Sequence, residues 1–219
     1  MVPIKLFIFD MDGLLFDTEP LSAEIWRRVG QEHGYHISEA VLQEVIGMND
    51  YGARAVFAQS LGEAFPYDEL HEEKLNRQIE YYRTHDISLK KGVHEILAYA
   101  AAENIPCVVA SSSSKAQVRL LLEKSGFAPS FAYMQSGDDV YRGKPAPDIF
   151  LRACSRMDVI PSEALVFEDS ANGLRAAAAG CMRAVWIADM AIVPPDVAQT
   201  AWLTCTSLEE VPEVLKRQK

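Results

Sequence analysis

Two carboxylates one residue apart, Asp10 and Asp12, stand at the end of the run Lys5-Leu6-Phe7-Ile8-Phe9 and are followed at once by Gly13. A short apolar run rich in Ile and Phe reads as a buried strand, placed near the N-terminus and therefore central in its sheet. Acids at the carboxyl end of a buried strand are costly unless something charged binds there. In open α/β sheets that edge is where ligands sit. Gly13 removes the Cβ barrier where the chain must turn out of the sheet beside the acids. The plain alternative is a strand-to-turn junction in which Asp and Gly only make the turn.

The pattern recurs twice. The run Pro106-Cys107-Val108-Val109-Ala110 ends in four serines, Ser111 to Ser114, and Ala164-Leu165-Val166-Phe167 ends in Glu168-Asp169. A parallel sheet brings all three strand ends to one edge. Lys144, in Gly143-Lys144-Pro145, adds an ammonium on a loop before a helix. Asp10 and Asp169 crowded into one site would repel unless a divalent cation sat between them. Oxygen-only ligands suit a hard cation such as Mg2+. Each residue also has an ordinary role: Lys144 as a solvated loop lysine, the serines as a flexible loop, and Glu168-Asp169-Ser170 as a helix cap. Asp17 is read as fixing its loop through backbone hydrogen bonds. The five histidines (33, 36, 71, 85 and 94) lie away from these motifs and are given no catalytic part.

Positioning such a set requires strands and helices in alternation. After the first strand a helix is expected over 20–33, with Pro20 in its first turn and Leu21, Ile25, Trp26 and Val29 at helical spacing. Residues 38–85 continue as helices interrupted by the turn Gly47-Met48-Asn49-Asp50. A helical block lodged between one strand and the remaining α/β pattern reads as an inserted cap. From Gly92 onward strands and helices alternate: helices over 93–103, 115–125, 148–157, 170–179 and 207–216, strands over 106–110, 131–134, 164–167, 184–187 and 201–204. Ser207 is the expected N-cap of the last helix, with Glu210 three residues on. The fold class is therefore α/β: a doubly wound parallel sheet, Rossmann-like, with an all-helical insertion. The domains are 1–17 with 87–219 as core, and 18–86 as cap.

A chain of 219 residues, 49% apolar and 24% charged, has the profile of one globular unit or a unit with an insertion. Its formal charge of −10 offers no basic footprint for nucleic acid and disfavours an anionic membrane surface. Cys107, Cys154, Cys181 and Cys205 are scattered, without C-x-x-C, and read as free thiols in a reducing compartment. Acid at position 10 interrupts any signal-peptide apolar region, and no window reaches membrane-spanning length, so a cytoplasmic protein is expected. Other motifs fail on detail. There is no G-x-G for a dinucleotide, and Gly137 to Gly143-Lys144 has five intervening residues and then Pro145 where a P-loop needs four and Ser or Thr. Ser112-x-x-Lys115 imitates a β-lactamase motif without its partners.

The stretch Asp10-x-Asp12-Gly13-x-x-x-Asp17, Ser111, Lys144 and Glu168-Asp169 resembles, in order, the four motifs of the haloacid dehalogenase superfamily, over nearly the whole chain. It looks most like the subgroup with a helical cap between the first and second motifs, which includes sugar-phosphate phosphatases and β-phosphoglucomutase. The resemblance implies that Asp10 attacks phosphorus to form an aspartyl-phosphate, and that Asp12 is acid and then base. It implies Mg2+ held by Asp10, Asp169 and the backbone carbonyl at Asp12, with Glu168 orienting the ligands or reaching the metal through water. Ser111, Ser112 and Lys144 would bind the phosphoryl group. Glu19, Trp26, Met48, Asn49, Asp50 and Lys115 are the candidate substrate contacts. Having Asp12 argues for phosphoryl transfer over dehalogenation. Ser22 stands where β-phosphoglucomutase carries His, and the 47–50 loop lacks the mutase's Arg; both departures favour hydrolysis. The expected enzyme is a monomeric Mg2+-dependent phosphatase of a small phosphorylated metabolite, a sugar phosphate or nucleoside monophosphate. The alternatives are a mutase and a non-catalytic phosphometabolite sensor.

Overall fold

In a computed structural model that describes residues 2–188 and 191–218, the Leu6–Phe9 run forms strand β1 at the middle of a six-stranded parallel sheet. The other strands are β2 (Cys107–Ala110), β3 (Tyr133–Gln135), β4 (Ala164–Glu168), β5 (Arg183–Ile187) and β6 (Leu203–Cys205), in the order β3-β2-β1-β4-β5-β6. β1 lies between β2 and β4, with Ile8 level with Val108 and Val166. The order reverses at β1, so the crevice at its carboxyl end is the switch point where such sheets bind ligands.

Both faces of the sheet are covered, which is why its strands are apolar throughout and do not alternate. Phe7 and Phe9 point into one core with Phe167, whose ring stacks on Phe9 at 4.5 Å. Leu6 and Ile8 point into the other, with Val108, Val166 and Leu174. Helices α5 (Val93–Ala102), α6 (Lys115–Lys124) and α10 (Val211–Lys216) pack on the first face. Helices α7 (Asp148–Arg156), α8 (Ala171–Ala179) and the short α9 (Pro195–Ala198) pack on the second.

Four helices, α1 (Glu19–Glu32), α2 (Glu39–Val45), α3 (Asp50–Leu61) and α4 (Tyr67–Thr84), separate β1 from the rest of the sheet in sequence. They close around their own apolar cluster, in which Trp26 packs on Phe57 at 4.6 Å. Two crossing segments tie this bundle to the sheet: Phe16 bridges Leu89, the Asp17 N–H donates to the Ser88 carbonyl and the Lys90 N–H to that of Leu15.

Element boundaries follow the sequence pattern closely, with one local exception. The last helix begins at Val211, and Thr206 rather than Ser207 pairs with Glu210: the Glu210 carboxylate accepts both the Thr206 N–H and its hydroxyl. Pro212 in the first turn starts the helix later than the polar pattern implies. Three cysteines are buried and free, and Cys181 is exposed. Among the described residues no helix is long and apolar enough to cross a membrane.

Candidate active site

The carboxyl ends of β1 and β4 bring Asp10, Glu168 and Asp169 together, each buried, with one carboxylate oxygen apiece within 4.8 Å of the others. Lys144, 2% exposed, enters from the loop before α7 and lies 2.5 Å from Asp10 Oδ1, while also bonding Glu168 Oε1. The other Glu168 oxygen accepts the Ser170 N–H at 3.2 Å and its hydroxyl at 3.0 Å. Both Glu168 oxygens are thus engaged in fixing Lys144 and the start of α8, where Ser170 also caps the helix through the Gly173 N–H.

Three acids and one lysine leave an excess of negative charge in a dry place. Burial, with the charges of Glu168 and Asp12, pushes the Asp10 carboxyl up to about 8 against the opposing pull of Lys144. Burial, then Glu168 and Asp10, raises Asp169 well above the ordinary carboxylate range. Lys144 is itself buried, yet the Asp10 and Glu168 carboxylates hold its pKa above that of a free lysine. A hard divalent cation is the group that such an oxygen cluster fits. Gly13 has φ +79°, and a Cβ there would strike the Asp169 carboxylate, so the Asp12–Gly13 backbone runs directly against this acidic corner.

Asp12 sits beside the cluster with its side chain turned to β2. Its Oδ2 accepts the Ser113 hydroxyl at 2.7 Å and the Ser111 hydroxyl at 3.2 Å. Its Oδ1 accepts the Thr18 hydroxyl at 2.8 Å and the Gln117 amide at 3.4 Å. Ser111 therefore holds Asp12 in this structure, and its oxygen in turn accepts the Ser113 N–H at 3.0 Å. Thr18, Ser113 and Gln117 were not singled out as site residues from the sequence. Thr18 directly follows the first motif, but only the fold turns Gln117, in the first turn of α6, toward β1.

Above the acids opens a cavity of about 590 Å³ between the sheet edge and the helical bundle, lined by Asp10, Asp12 and Ser112 below and by α1, α4 and the 46–50 turn above. The turn is clasped to the core. Ser112 donates its hydroxyl to the Gly47 carbonyl at 3.0 Å, Asn172 its amide to the Ile46 carbonyl at 3.1 Å, and Asn49 packs against Gly143. Of the expected substrate contacts, Glu19, Trp26, Met48, Asn49 and Asp50 all line this cavity. Trp26 does so from within the bundle core, and Asn49 also caps α3 through the Gly52 N–H. Lys115 does not: with Arg119 one turn on, it lines a separate hollow against β3 beside Arg152, on a different side of α6 from Gln117, which faces the crevice. Asp17 is anchored by the Lys90 ammonium at 3.4 Å rather than by side-chain bonds to its own loop. His71, given no part from the sequence, stands in the cavity wall beside Lys74.

The family model of the haloacid dehalogenase-like hydrolases matches residues 4–180. The chain belongs to that family. A relative from Thermotoga maritima, a phosphorylated carbohydrates phosphatase, is 32% identical over 176 residues, covering 80% of each chain. The crystal structure of CbbY from Rhodobacter sphaeroides with phosphate superposes with a TM-score of 0.83 at 26% identity, covering 95% of this chain and 96% of that one. A β-phosphoglucomutase from Clostridium difficile shares the fold, with a TM-score of 0.85 at 21% identity over 98% of this chain and 96% of its own. As a hydrolase of this family the protein is a phosphoric monoester hydrolase, and the buried acids at the sheet edge are its candidate centre.

Proposed function

We propose that the protein is a Mg2+-dependent phosphatase that hydrolyses a small phosphorylated metabolite, a sugar phosphate or nucleoside monophosphate, through an aspartyl-phosphate on Asp10. The observation that carries this reading is the convergence of Asp10, Lys144 and Asp169 beneath a cavity of metabolite size. The name borne by the Thermotoga maritima relative points to carbohydrate phosphates. Asp10, Asp169 and the backbone at Asp12 would hold Mg2+, which supplies positive charge to offset the repulsion between carboxylate and phosphate. Glu168 keeps Lys144 at the same place, where its ammonium pairs a phosphoryl oxygen.

In the first step an Asp10 carboxylate oxygen forms a bond to phosphorus as the ester P–O bond breaks, and Asp12 gives a proton to the departing oxygen. In the second, Asp12 takes a proton from water, the water oxygen bonds to phosphorus, and the Asp10–phosphorus bond breaks. The hydroxyls of Thr18, Ser111 and Ser113 and the Gln117 amide aim the Asp12 carboxylate for both transfers. Residues 18–86 act as a cap that closes over the substrate and excludes bulk water. Ser22, which lines the cavity, offers no imidazole to guard a phosphorylated intermediate for mutase chemistry.

The test is phosphate release from a panel of sugar phosphates and nucleoside monophosphates, with and without Mg2+. Asp10→Asn is expected to lower turnover by about 10³-fold or more, in line with the loss of a covalent nucleophile, with the circular dichroism spectrum unchanged. Undiminished turnover in that variant removes Asp10 as nucleophile. Glucose 6-phosphate formed from β-glucose 1-phosphate faster than phosphate is released would instead make the protein a mutase.

A further inference from the structure

Helix α4 turns a polar face to the cavity. His71, Lys74 and Gln78 are spaced three and four residues apart, so they share one side of the helix, and all three line the space above the acids. A helix that served only to close its bundle would carry apolar residues there. Instead Lys74 is 7% exposed and Gln78 2%, a desolvation cost that an oxygen-rich ligand offsets.

His71 Nδ1 lies 3.0 Å from Asp50 Oδ1, and its ring stacks over Tyr67 and Trp26. The Asp50 carboxylate beside Nδ1 draws the ring hydrogen to that nitrogen, which leaves Nε2 as the acceptor, and burial disfavours the charged imidazolium.

The charge inventory is one-sided. Arg27 at the rim bonds Glu39, Lys74 lies in the field of Glu19 and Asp12, and Lys144 beneath is shared by Asp10 and Glu168. Among the described residues every cation lining the cavity and its floor thus faces a carboxylate, while Asp50 and Asp138 add negative charge to the lining, with Arg54 3.8 Å from Asp50 but outside that lining.

We propose that Asp50, His71 and Lys74 form the leaving-group subsite, that it takes a neutral, hydroxyl-bearing leaving group, and that Asp50 repels substrates bearing a second anionic group. This rests on the phosphatase reading and narrows its substrate class to monophosphates of uncharged polyols or sugars. His71 Nε2 accepts a substrate hydroxyl, the Lys74 ammonium donates to an oxygen nearer the ester, and the Asp50 charge discriminates by repulsion.

Glucitol 6-phosphate and 6-phosphogluconate test this, since they differ only in a terminal hydroxymethyl against a carboxylate. Calorimetric titration of Asp10→Asn protein with Mg2+ should show the neutral ester bound about tenfold or more tightly. Asp50→Asn, added to that protein, should cut the ratio to about threefold or less. His71→Phe, which keeps the ring stack, should weaken glucitol 6-phosphate about tenfold. Equal or tighter binding of 6-phosphogluconate, or a ratio indifferent to Asp50→Asn, overturns the subsite. Hydrolysis of p-nitrophenyl phosphate by the unaltered protein reports separately on the phosphatase reading. Its absence alongside an intact binding preference would overturn that reading and leave the subsite standing.

Discussion

Lys144 is the residue on which the charge balance of the site turns. It is fully enclosed and touches both Asp10 and Glu168, so replacing it strands two buried carboxylates. Lys144→Met should cost about 3–5 kcal/mol of stability in metal-free protein, read by urea denaturation, with loss of turnover as a second consequence. Lys74 makes the opposite case. Burial lowers its pKa from 10.5 to about 8 despite the pull of Glu19 and Asp12. Between those values the unfolded chain holds a proton that the folded one has released, so stability rises with pH across that window. Relative to Lys74→Met, the unaltered protein should gain on the order of 3 kcal/mol between pH 8 and 10.5, measurable by denaturation at several pH values. A difference that stays flat or falls would place the ammonium in a wetter setting than the cavity wall provides.

At the level of elements, the start of α8 shows local preference giving way to packing. Gly173 lies in its first turn, where Ala would ordinarily favour the helix by up to about 1 kcal/mol. A Cβ at Gly173, however, would fall on the Glu168 carboxyl group. Gly173→Ala should therefore destabilise the protein and, by pushing Glu168 away from Lys144, lower phosphate release about tenfold or more. A rise in melting temperature with full activity would show that Glu168 can move without consequence. The strand ends obey the same logic: β1 and β2 stop, and β4 ends one residue later, where apolar residues give way to groups that need a ligand or a network. That transition is visible in Phe9-Asp10, Ala110-Ser111 and Phe167-Glu168.

For the whole molecule, the sheet edge supplies the acids and the helical bundle supplies the roof, joined by the Phe16–Leu89 crossing and by the 46–50 turn resting on Ser112, Gly143 and Asn172. Metal removal should act on both halves. Chelation is expected to abolish turnover, and Mg2+ at about 100 times its dissociation constant should raise stability by about 2.7 kcal/mol, followed by thermal denaturation. Unchanged melting on adding Mg2+ would deny the acids a metal-binding role. The parallel sheet, the central place of β1, the helical insertion and the candidate set Asp10, Asp12, Lys144 and Asp169 are legible in the amino-acid sequence. The elements show as apolar runs, and the four residues sit at strand ends or in short local motifs, each readable in its own stretch although Asp10 and Lys144 lie 134 residues apart. The convergence of Ser111, Ser113, Thr18 and Gln117 on Asp12, the outward turn of Lys115, and the place of His71 and Lys74 in the cavity wall emerge only on folding. Such contacts join positions up to 105 residues apart, as Asp12 and Gln117 are. They depend on how each helix is rotated against the sheet, which no local pattern records.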